Sequence, residues 1–224
     1  MPERPAVLLD IDGTLVDSTY LHVQAWSEAM EEIGHDVDTW RIHRAIGMDS
    51  AKLLDALLGD AVESDGDAAK EAHSRRYARL APRLRPFRDA RALLTDLAGA
   101  DLQVVLATSA PEEELQHLLE VLDADRWITH ITSADDVDTA KPAPDVVEVA
   151  LDRAGVDPDR AVMVGDATWD SRAAAKVGVT AVGVLSGGIS ESELLEAGAS
   201  VVLRDPTDLL AQWRSGPIGD LLRS

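Results

Sequence analysis

The feature that most constrains the fold is the stretch AVLLDIDGTLVDS at residues 6–18. Its apolar run, residues 6–9, is short and ends at Asp10, which is typical of a buried strand that stops where polar residues begin. A glycine-threonine pair directly after Asp12 predicts a tight turn. Asp10 and Asp12 therefore lie two residues apart at the carboxyl end of a strand, where an open α/β sheet binds its ligands. Two ionised carboxylates this close repel each other, so the pair tends either to share a proton or to hold a cation.

Composition excludes several classes of protein. The chain has 224 residues, enough for one large core or for a core with a small second domain. It contains no cysteine, which excludes disulfides, thiol catalysis and zinc–thiolate sites. No apolar run reaches the length of about 18 residues that a membrane span needs, and the N-terminus lacks the apolar segment of a signal peptide. We therefore expect a cytoplasmic protein with no membrane association.

Charge argues against nucleic acid as a partner. The chain carries 41 acidic and 21 basic residues, a formal net charge of −20. Such a surface repels a polyanion and does nothing to attract an anionic substrate from a distance. A phosphate site in this chain would need a local positive charge or a metal ion.

Periodicity divides the chain into two kinds of structure. Residues 17–83 have helical spacing throughout and no credible strand, with helices expected near 20–33, 40–46, 50–58 and 67–80 and a polar loop at 60–66. Asp49 or Ser50 is the expected N-cap of the third helix. From Arg88 onward, apolar strands alternate with amphipathic helices, one of which is expected at SRAAAKVG, residues 171–178. This alternation predicts an α/β fold, a doubly wound parallel sheet formed by residues 1–16 and 84–224, with an α-helical cap at 17–83 inserted after the first strand.

Polar residues also lie at three further ends of predicted strands or helices along the chain. Thr108 and Ser109 follow VVLA, Asp166 and Asp170 follow AVMVG, and Lys141 precedes a helix that begins at or after the next residue. Each has a plain structural alternative, namely a helix cap, a turn residue or an exposed loop lysine. In a doubly wound sheet, however, all carboxyl ends of the strands face one edge, so these residues and the first aspartate pair can converge.

Phosphoryl transfer is the chemistry that uses such a set. A carboxylate can act as the nucleophile and form an aspartyl-phosphate, while a second carboxylic acid gives and then takes back a proton. Acidic residues from two strands suit Mg²⁺, a hard cation that prefers oxygen ligands. A hydroxyl, backbone amides and one lysine would bind the remaining phosphoryl oxygens.

Four motifs, taken together and in order, resemble the haloacid dehalogenase-like hydrolase superfamily. They are DIDGTL at residues 10–15, the strand-end Thr108, Lys141 within AKPAPD, and GDATWD at residues 165–170. The resemblance covers nearly the whole chain and implies a Rossmann-like core. The helical segment after the first motif is similar to the small α-helical cap of the phosphoglycolate phosphatase and β-phosphoglucomutase branches.

The resemblance implies that four aspartates organise the chemistry. Asp10 would be the nucleophile and a ligand of Mg²⁺. Asp12 would be the general acid/base and would bind the metal through its backbone carbonyl. Asp166 would be the third protein ligand, and Asp170 would support the direct ligands from behind or bind the metal through water.

The resemblance also implies how the substrate is held. Thr108 would hydrogen-bond the phosphoryl group, with the Ser109 amide beside it. Lys141 would offset the charge between the nucleophile and the phosphate. Gly13 would let the backbone approach closely, and His22, on the first cap helix, would help to control the acid/base.

Departures from the family's branches narrow the reaction. True dehalogenases of the superfamily lack an acid/base aspartate at the position of Asp12, so a C–Cl substrate is disfavoured. The mutase branch carries an arginine in a cap loop that binds the second phosphate, whereas the corresponding stretch here, residues 47–50, contains no arginine. That branch also carries a lysine-asparagine pair, whereas this chain has Pro111 and Glu112 in its place. Phosphonate hydrolysis would need a Schiff-base lysine, and Lys52 is expected on a helix surface. These departures favour water as the final acceptor.

A basic cluster in the cap is the candidate for substrate selection. It consists of Lys70, His73, Arg75, Arg76 and Arg79. A charge run is commonly a solvated helix face, and the alternative is that an arginine, with Arg76 as our choice, faces the cleft and binds an anionic part of the substrate.

The sequence therefore predicts a Mg²⁺-dependent phosphatase for a small phosphorylated metabolite, monomeric or homodimeric, working through an aspartyl-phosphate. The alternatives are a β-phosphoglucomutase-like sugar phosphomutase and a non-catalytic binding or regulatory protein on the same fold. Composition and motifs do not identify the metabolite.

Overall fold

A six-stranded parallel sheet forms the centre of the computed structural model, which describes residues 4–133, 136 and 145–223. The strands are β1 (Ala6–Leu9), β2 (Gln103–Ala107), β3 (His130–Thr132), β4 (Ala161–Gly165), β5 (Thr180–Val184) and β6 (Ala199–Leu203). Their order across the sheet is β3-β2-β1-β4-β5-β6, and every pairing is parallel. The chain thus builds the sheet outward from β1 to one side and from β4 to the other. This order confirms the predicted doubly wound α/β fold. The strand order reverses between β1 and β4, and such sheets bind ligands at the carboxyl ends of the two strands at this switch point.

Burial explains why β1 is central. All four of its side chains are fully buried, and they alternate between two apolar clusters on opposite faces of the sheet. Val7 and Leu9 contact one cluster, whereas Ala6 and Leu8 contact the other. A strand covered on both faces has a continuous apolar sequence, as this one does.

Helices cover both faces of the sheet. On one face lie α5 (Ala90–Gly99), α6 (Glu112–Leu122), α10 (Pro206–Gln212) and the short α11 (Pro217–Asp220), and on the other lie α7 (Asp145–Ala154) and α8 (Thr168–Lys176). Helix α9 (Glu191–Glu196) packs with β5 and β6 around a small third cluster. Among the described residues, every helix is too short or too polar to span a lipid bilayer.

Four helices lie between β1 and α5 in the chain. They are α1 (Thr19–Glu32), α2 (Thr39–Ala45), α3 (Ser50–Leu58) and α4 (Val62–Leu80). They share an apolar cluster of their own, which includes Trp26, Met30, Ile42 and Leu54. This helical cap has the composition predicted for it, and Asp49 accepts the Ala51 N–H at 2.7 Å as the expected N-cap of α3. The limits of the cap at residues 17 and 83 stay a prediction.

The structure corrects two local predictions. Residues 60–66 are not a polar loop, because a 3₁₀ turn at Gly59–Ala61 leads straight into α4 at Val62. Gly66, the last residue of the predicted loop, is buried inside the helix, where an added Cβ would lie 3.3 Å from the Val62 side chain. Helix α8 also begins earlier than the predicted SRAAAKVG segment, so Asp170 lies in its first turn and Ala167 is its N-cap.

The tip of the cap also touches the core. His43 Nε2 lies 2.9 Å from the Gly187 carbonyl oxygen, and Arg44 forms an ion pair with Glu193 at 2.9 Å. An added Cβ at Gly47 would lie only 3.0 Å from the Ala167 side chain. The cap therefore lies directly over the loops that follow β4 and β5.

Candidate active site

The ends of three neighbouring strands bring the predicted site residues to one edge. Asp10 follows β1, and its N–H continues the ladder by donating to the Val164 carbonyl at 2.9 Å. Thr108 follows β2 and donates its N–H to the Thr132 carbonyl at 3.0 Å. Asp166 follows β4 directly. The convergence expected from the strand pattern is therefore present for these residues.

Three carboxylates form a compact buried cluster. Asp10, Asp166 and Asp170 each offer an oxygen, and these oxygens lie within 4.8 Å of one another. The residues are 6%, 5% and 2% exposed, respectively. The Thr14 hydroxyl donates to Asp166 at 3.0 Å, and the Ala167 N–H donates to Asp170 at 3.0 Å. Three buried carboxylates this close are compatible with ionisation when a cation lies among them, and their hard oxygen donors suit a divalent one.

Glycines allow the backbone to wrap tightly around this cluster. Gly13 has φ +72°, and an added Cβ there would lie 2.3 Å from Asp166 Oδ2. An added Cβ at Gly187 would lie 1.6 Å from the same oxygen. Any side chain at either position would therefore displace the Asp166 carboxylate.

Asp12 is held apart from the acidic cluster. Its Oδ1 accepts a hydrogen bond from the Ser18 hydroxyl at 2.5 Å and lies 3.2 Å from His22 Nε2. Its carboxylate is not part of the three-oxygen group described above. A side chain with partners of its own, beside the cluster but outside it, is placed to exchange protons. Metal ligation by the Asp12 carbonyl stays a prediction.

His22 continues into further titratable groups that sequence patterns do not pair with it. Its Nδ1 lies 3.3 Å from Nε2 of His73, whose Nδ1 lies 3.4 Å from a carboxylate oxygen of Glu114. Burial, the largest single influence, lowers the pKa of His22, but the carboxylates of Asp12, Glu114 and Asp10 together raise this pKa above its ordinary value. Burial lowers the pKa of His73 well below its usual range and raises the pKa of Glu114 to about 7. No local motif marks Glu114, and its role is visible only once α6 is packed against α4.

A cleft of about 450 Å³ separates the sheet edge from the cap. Its floor includes Asp10, Asp12, Thr108 and Ser109, and its cap side includes the following residues: Trp26, Met48, Asp49, Ser50, Leu53, Lys70 and Ser74. The hydroxyl of Ser109 is buried and has no hydrogen-bond partner among the described residues, whereas the Thr108 hydroxyl accepts the Ala110 N–H at 3.0 Å. Both residues line the floor of the cleft.

Arg76 does not face this cleft, contrary to the prediction that it binds an anionic part of the substrate there. Its guanidinium contacts Glu28 at 2.6 Å and Glu32 at 2.9 Å, and it is absent from the cleft lining. Arg75 likewise forms ion pairs with Glu32 and Glu71. The paired glutamates of α1 lie against α4, so these arginines join the two helices on the outside of the cap. Lys141 lies outside the described residues.

Comparison with known proteins agrees with this geometry. Residues 7–184 match the model of the haloacid dehalogenase-like hydrolases. The chain is 32% identical to a phosphoglycolate phosphatase of Rhodospirillum rubrum, over 95% of this chain and 91% of that protein. It is 29% identical to a phosphorylated carbohydrates phosphatase of Thermotoga maritima, over 92% and 96% of the two chains.

A solved structure is similar over nearly its full length. A hydrolase from Pseudomonas syringae superimposes with a TM-score of 0.89 at 35% identity, covering 94% of this chain and 98% of that one. The family match spans well over half of the chain, and the relatives cover its cap as well as its core. The chain belongs to the haloacid dehalogenase-like hydrolase family.

Proposed function

We propose that this protein is a Mg²⁺-dependent phosphatase that hydrolyses a small phosphorylated metabolite. The observation that carries the proposal is the buried group of Asp10, Asp166 and Asp170 at the switch point of the sheet, with Asp12 beside it. The phosphatase names of the full-length relatives support it. When bound, Mg²⁺ would be held by the three carboxylates and would neutralise charge on the phosphoryl oxygens.

In the proposed mechanism, Asp10 attacks phosphorus in line with the leaving group. A bond forms between an Asp10 carboxylate oxygen and phosphorus as the phosphorus–oxygen bond to the leaving group breaks. Asp12 donates its proton to the departing oxygen, so an alcohol leaves. Asp12 then accepts a proton from water as that water attacks the aspartyl-phosphate, which releases phosphate and restores Asp10.

The phosphoryl group is held by residues at neighbouring strand ends. Thr108 and Ser109 lie on the cleft floor, where the Thr108 hydroxyl and the Ser109 amide would donate to phosphoryl oxygens. Lys141 supplies a compensating positive charge in the role that its motif implies. Gly13 brings the backbone against the site, as its positive φ and the short distance to Asp166 require.

The cap selects the leaving group and excludes water. A cleft of about 450 Å³ is roomier than a two-carbon acid needs, and its cap side carries hydroxyl and carboxylate groups at Asp49, Ser50 and Ser74. These groups favour a hydroxylated leaving group such as that of a phosphorylated carbohydrate. Closure of the helical cap keeps bulk water out until the aspartyl-phosphate has formed.

Water is the preferred final acceptor. The cap loop at residues 47–50 lines the cleft and contains no arginine to grip the second phosphate of a mutase intermediate. Pro111 and Glu112 stand where mutases have a lysine-asparagine pair. A purely binding protein would have no need for a carboxylate nucleophile at Asp10. The proposal includes a cytoplasmic location and a monomeric or homodimeric state, the latter measurable by sedimentation.

The test is phosphate release from a panel of phosphorylated sugars, phosphorylated acids and a generic aryl phosphate, each with Mg²⁺ and with EDTA. We expect release with Mg²⁺, strongest from a phosphorylated carbohydrate, and none with EDTA. Conversion of a sugar 1-phosphate to its 6-phosphate without net release would support the mutase instead. Inertness towards every ester would favour the binding protein.

A further inference from the structure

A continuous line of side chains runs along the active-site cleft, from the sheet edge through the cap and back to the core. It begins at Asp12, passes through His22 on α1 and His73 on α4, and ends at Glu114 on α6. The successive distances are 3.2, 3.3 and 3.4 Å. His22, His73 and Glu114 are each less than a tenth exposed. Because the two ends belong to the core and the middle belongs to the cap, the line is complete only when the cap lies against the core.

Aromatic stacking fixes the planes of both imidazoles. The His22 ring stacks on Tyr77 with centroids 4.0 Å apart, and the His73 ring stacks on Trp26 at 4.1 Å. What stacking does not fix is which ring nitrogen carries a proton, because a neutral imidazole has one donor and one acceptor nitrogen. The neighbour at the far nitrogen decides that question.

Glu114 is the group that can decide it. A carboxyl group facing Nδ1 of His73 sets whether that nitrogen donates or accepts, and hence the role of Nε2. Nε2 of His73 in turn sets whether Nδ1 of His22 donates or accepts a hydrogen bond. This determines whether Nε2 of His22, which faces Asp12, carries a proton. A buried carboxyl is costly unless a polar partner compensates it, and Nδ1 of His73, at 3.4 Å, is the polar partner of Glu114.

We propose that His73 and Glu114 are positioning residues, which hold the His22 imidazole in the orientation and proton arrangement that prepare Asp12 for proton transfer when the cap closes. This inference rests on the proposed function, in which Asp12 is the general acid/base. Neither residue touches the substrate phosphoryl group in this role. Both act through His22.

The experiment compares two phosphate esters that differ in their need for a general acid. An alkyl phosphate requires protonation of its leaving oxygen, whereas 2,4-dinitrophenyl phosphate has a leaving group that departs as an anion. The quantity measured is kcat/KM, which reports the steps through phosphoryl transfer. Asp12→Asn sets the scale of discrimination between the two esters.

The informative variants remove hydrogen bonding and keep the packing. Glu114→Leu replaces the carboxyl with an apolar group, and His73→Phe keeps a ring for stacking on Trp26. Because general acid catalysis is worth roughly 10²–10⁴-fold, we expect each to lower kcat/KM for the alkyl ester by about tenfold or more and to leave the dinitrophenyl ester within about twofold. Glu114→Gln, which can still donate and accept, should restore most of the alkyl activity. The matched control is Glu113→Leu at the exposed neighbouring position, which should behave as the wild type.

Each outcome decides the matter. Equal losses with both esters would mean that the residues only support the fold, and an unchanged alkyl rate would mean that they do not act on Asp12; either overturns the proposal. If Asp12→Asn discriminates between the esters and the Glu114 and His73 variants do not, only the positioning role falls. If Asp12→Asn itself fails to discriminate, the acid role in the proposed function falls and the positioning role falls with it.

Discussion

The three clustered carboxylates make a quantitative prediction about stability with and without a divalent cation. Asp10, Asp166 and Asp170 lie within 4.8 Å of one another in a buried pocket. At an effective dielectric constant of about 20, two unit charges at 4.8 Å repel each other by about 3.5 kcal/mol. Asp170→Asn removes two of the three repulsive pairs, and the amide oxygen can still accept the Ala167 N–H.

The expected gain is smaller than the full repulsion. In the absence of a cation, water and small side-chain movements relieve part of it, so we take a net gain of about 2 kcal/mol. For a chain of this length, 1 kcal/mol corresponds to roughly 2–4 °C in the midpoint of unfolding, so the variant should melt about 4–8 °C higher in EDTA. Mg²⁺ at one hundred times its Kd adds about 2.7 kcal/mol to the wild type. The order of the two proteins should therefore reverse when Mg²⁺ is added.

Thermal unfolding followed by fluorescence, in EDTA and in a Mg²⁺ titration, measures this reversal. Asp152→Asn, which removes the same charge from an exposed position on α7, is the matched control and should retain the full shift with Mg²⁺. The electrostatic reasoning would be refuted if Asp170→Asn melted below the wild type in EDTA and its melting temperature rose with Mg²⁺ by as much as that of the wild type.

Three further outcomes follow from the structure. Gly13→Ala and Gly34→Ala both place an alanine at positive φ, which costs about 1–2 kcal/mol of stability. Only Gly13→Ala adds a Cβ beside Asp166. Only that variant should therefore lose phosphatase activity and the Mg²⁺-dependent rise in melting temperature. Arg76→Ala should lower the melting temperature and leave KM unchanged, because its guanidinium is bound to two glutamates of α1; a raised KM would return Arg76 to the substrate site. Because the net charge of −20 makes the folded chain repel itself, its melting temperature should rise as NaCl is raised from roughly 0.1 M to 1 M. Over that range the Debye length falls from about 10 to about 3 Å. A melting temperature that falls with salt would contradict self-repulsion.

Local patterns predicted the sheet edge of the site well. Asp10, Thr108 and Asp166 each follow an apolar run that ends abruptly, and the parallel topology brings such ends together without any knowledge of side-chain packing. The position of Asp170 required only that the next helix begin close to the strand. These residues are predictable because their placement depends on a few neighbours in the chain.

The cap side of the site was not predictable in the same way. His22, His73 and Glu114 meet only because α1, α4 and α6 pack together, and no sequence period encodes that meeting. Arg76 illustrates the same limit, since the helical pattern placed it on α4 but could not tell which neighbour that face would contact. A signal was available in Glu28 and Glu32, which are four residues apart on α1 and so form one acidic stripe able to hold the arginines.

The central claim is that Asp10 is the nucleophile of a phosphatase. Phosphate release from the best ester of the panel, measured with Mg²⁺ for the wild type and for Asp10→Asn, tests it most directly. Asp17→Asn, at an exposed position on the same segment, is the control for loss of one charge. We expect release from the wild type and the control and none from Asp10→Asn, with all three proteins folded. Release that survives Asp10→Asn would contradict the assignment of the nucleophile and, with it, the account of this site.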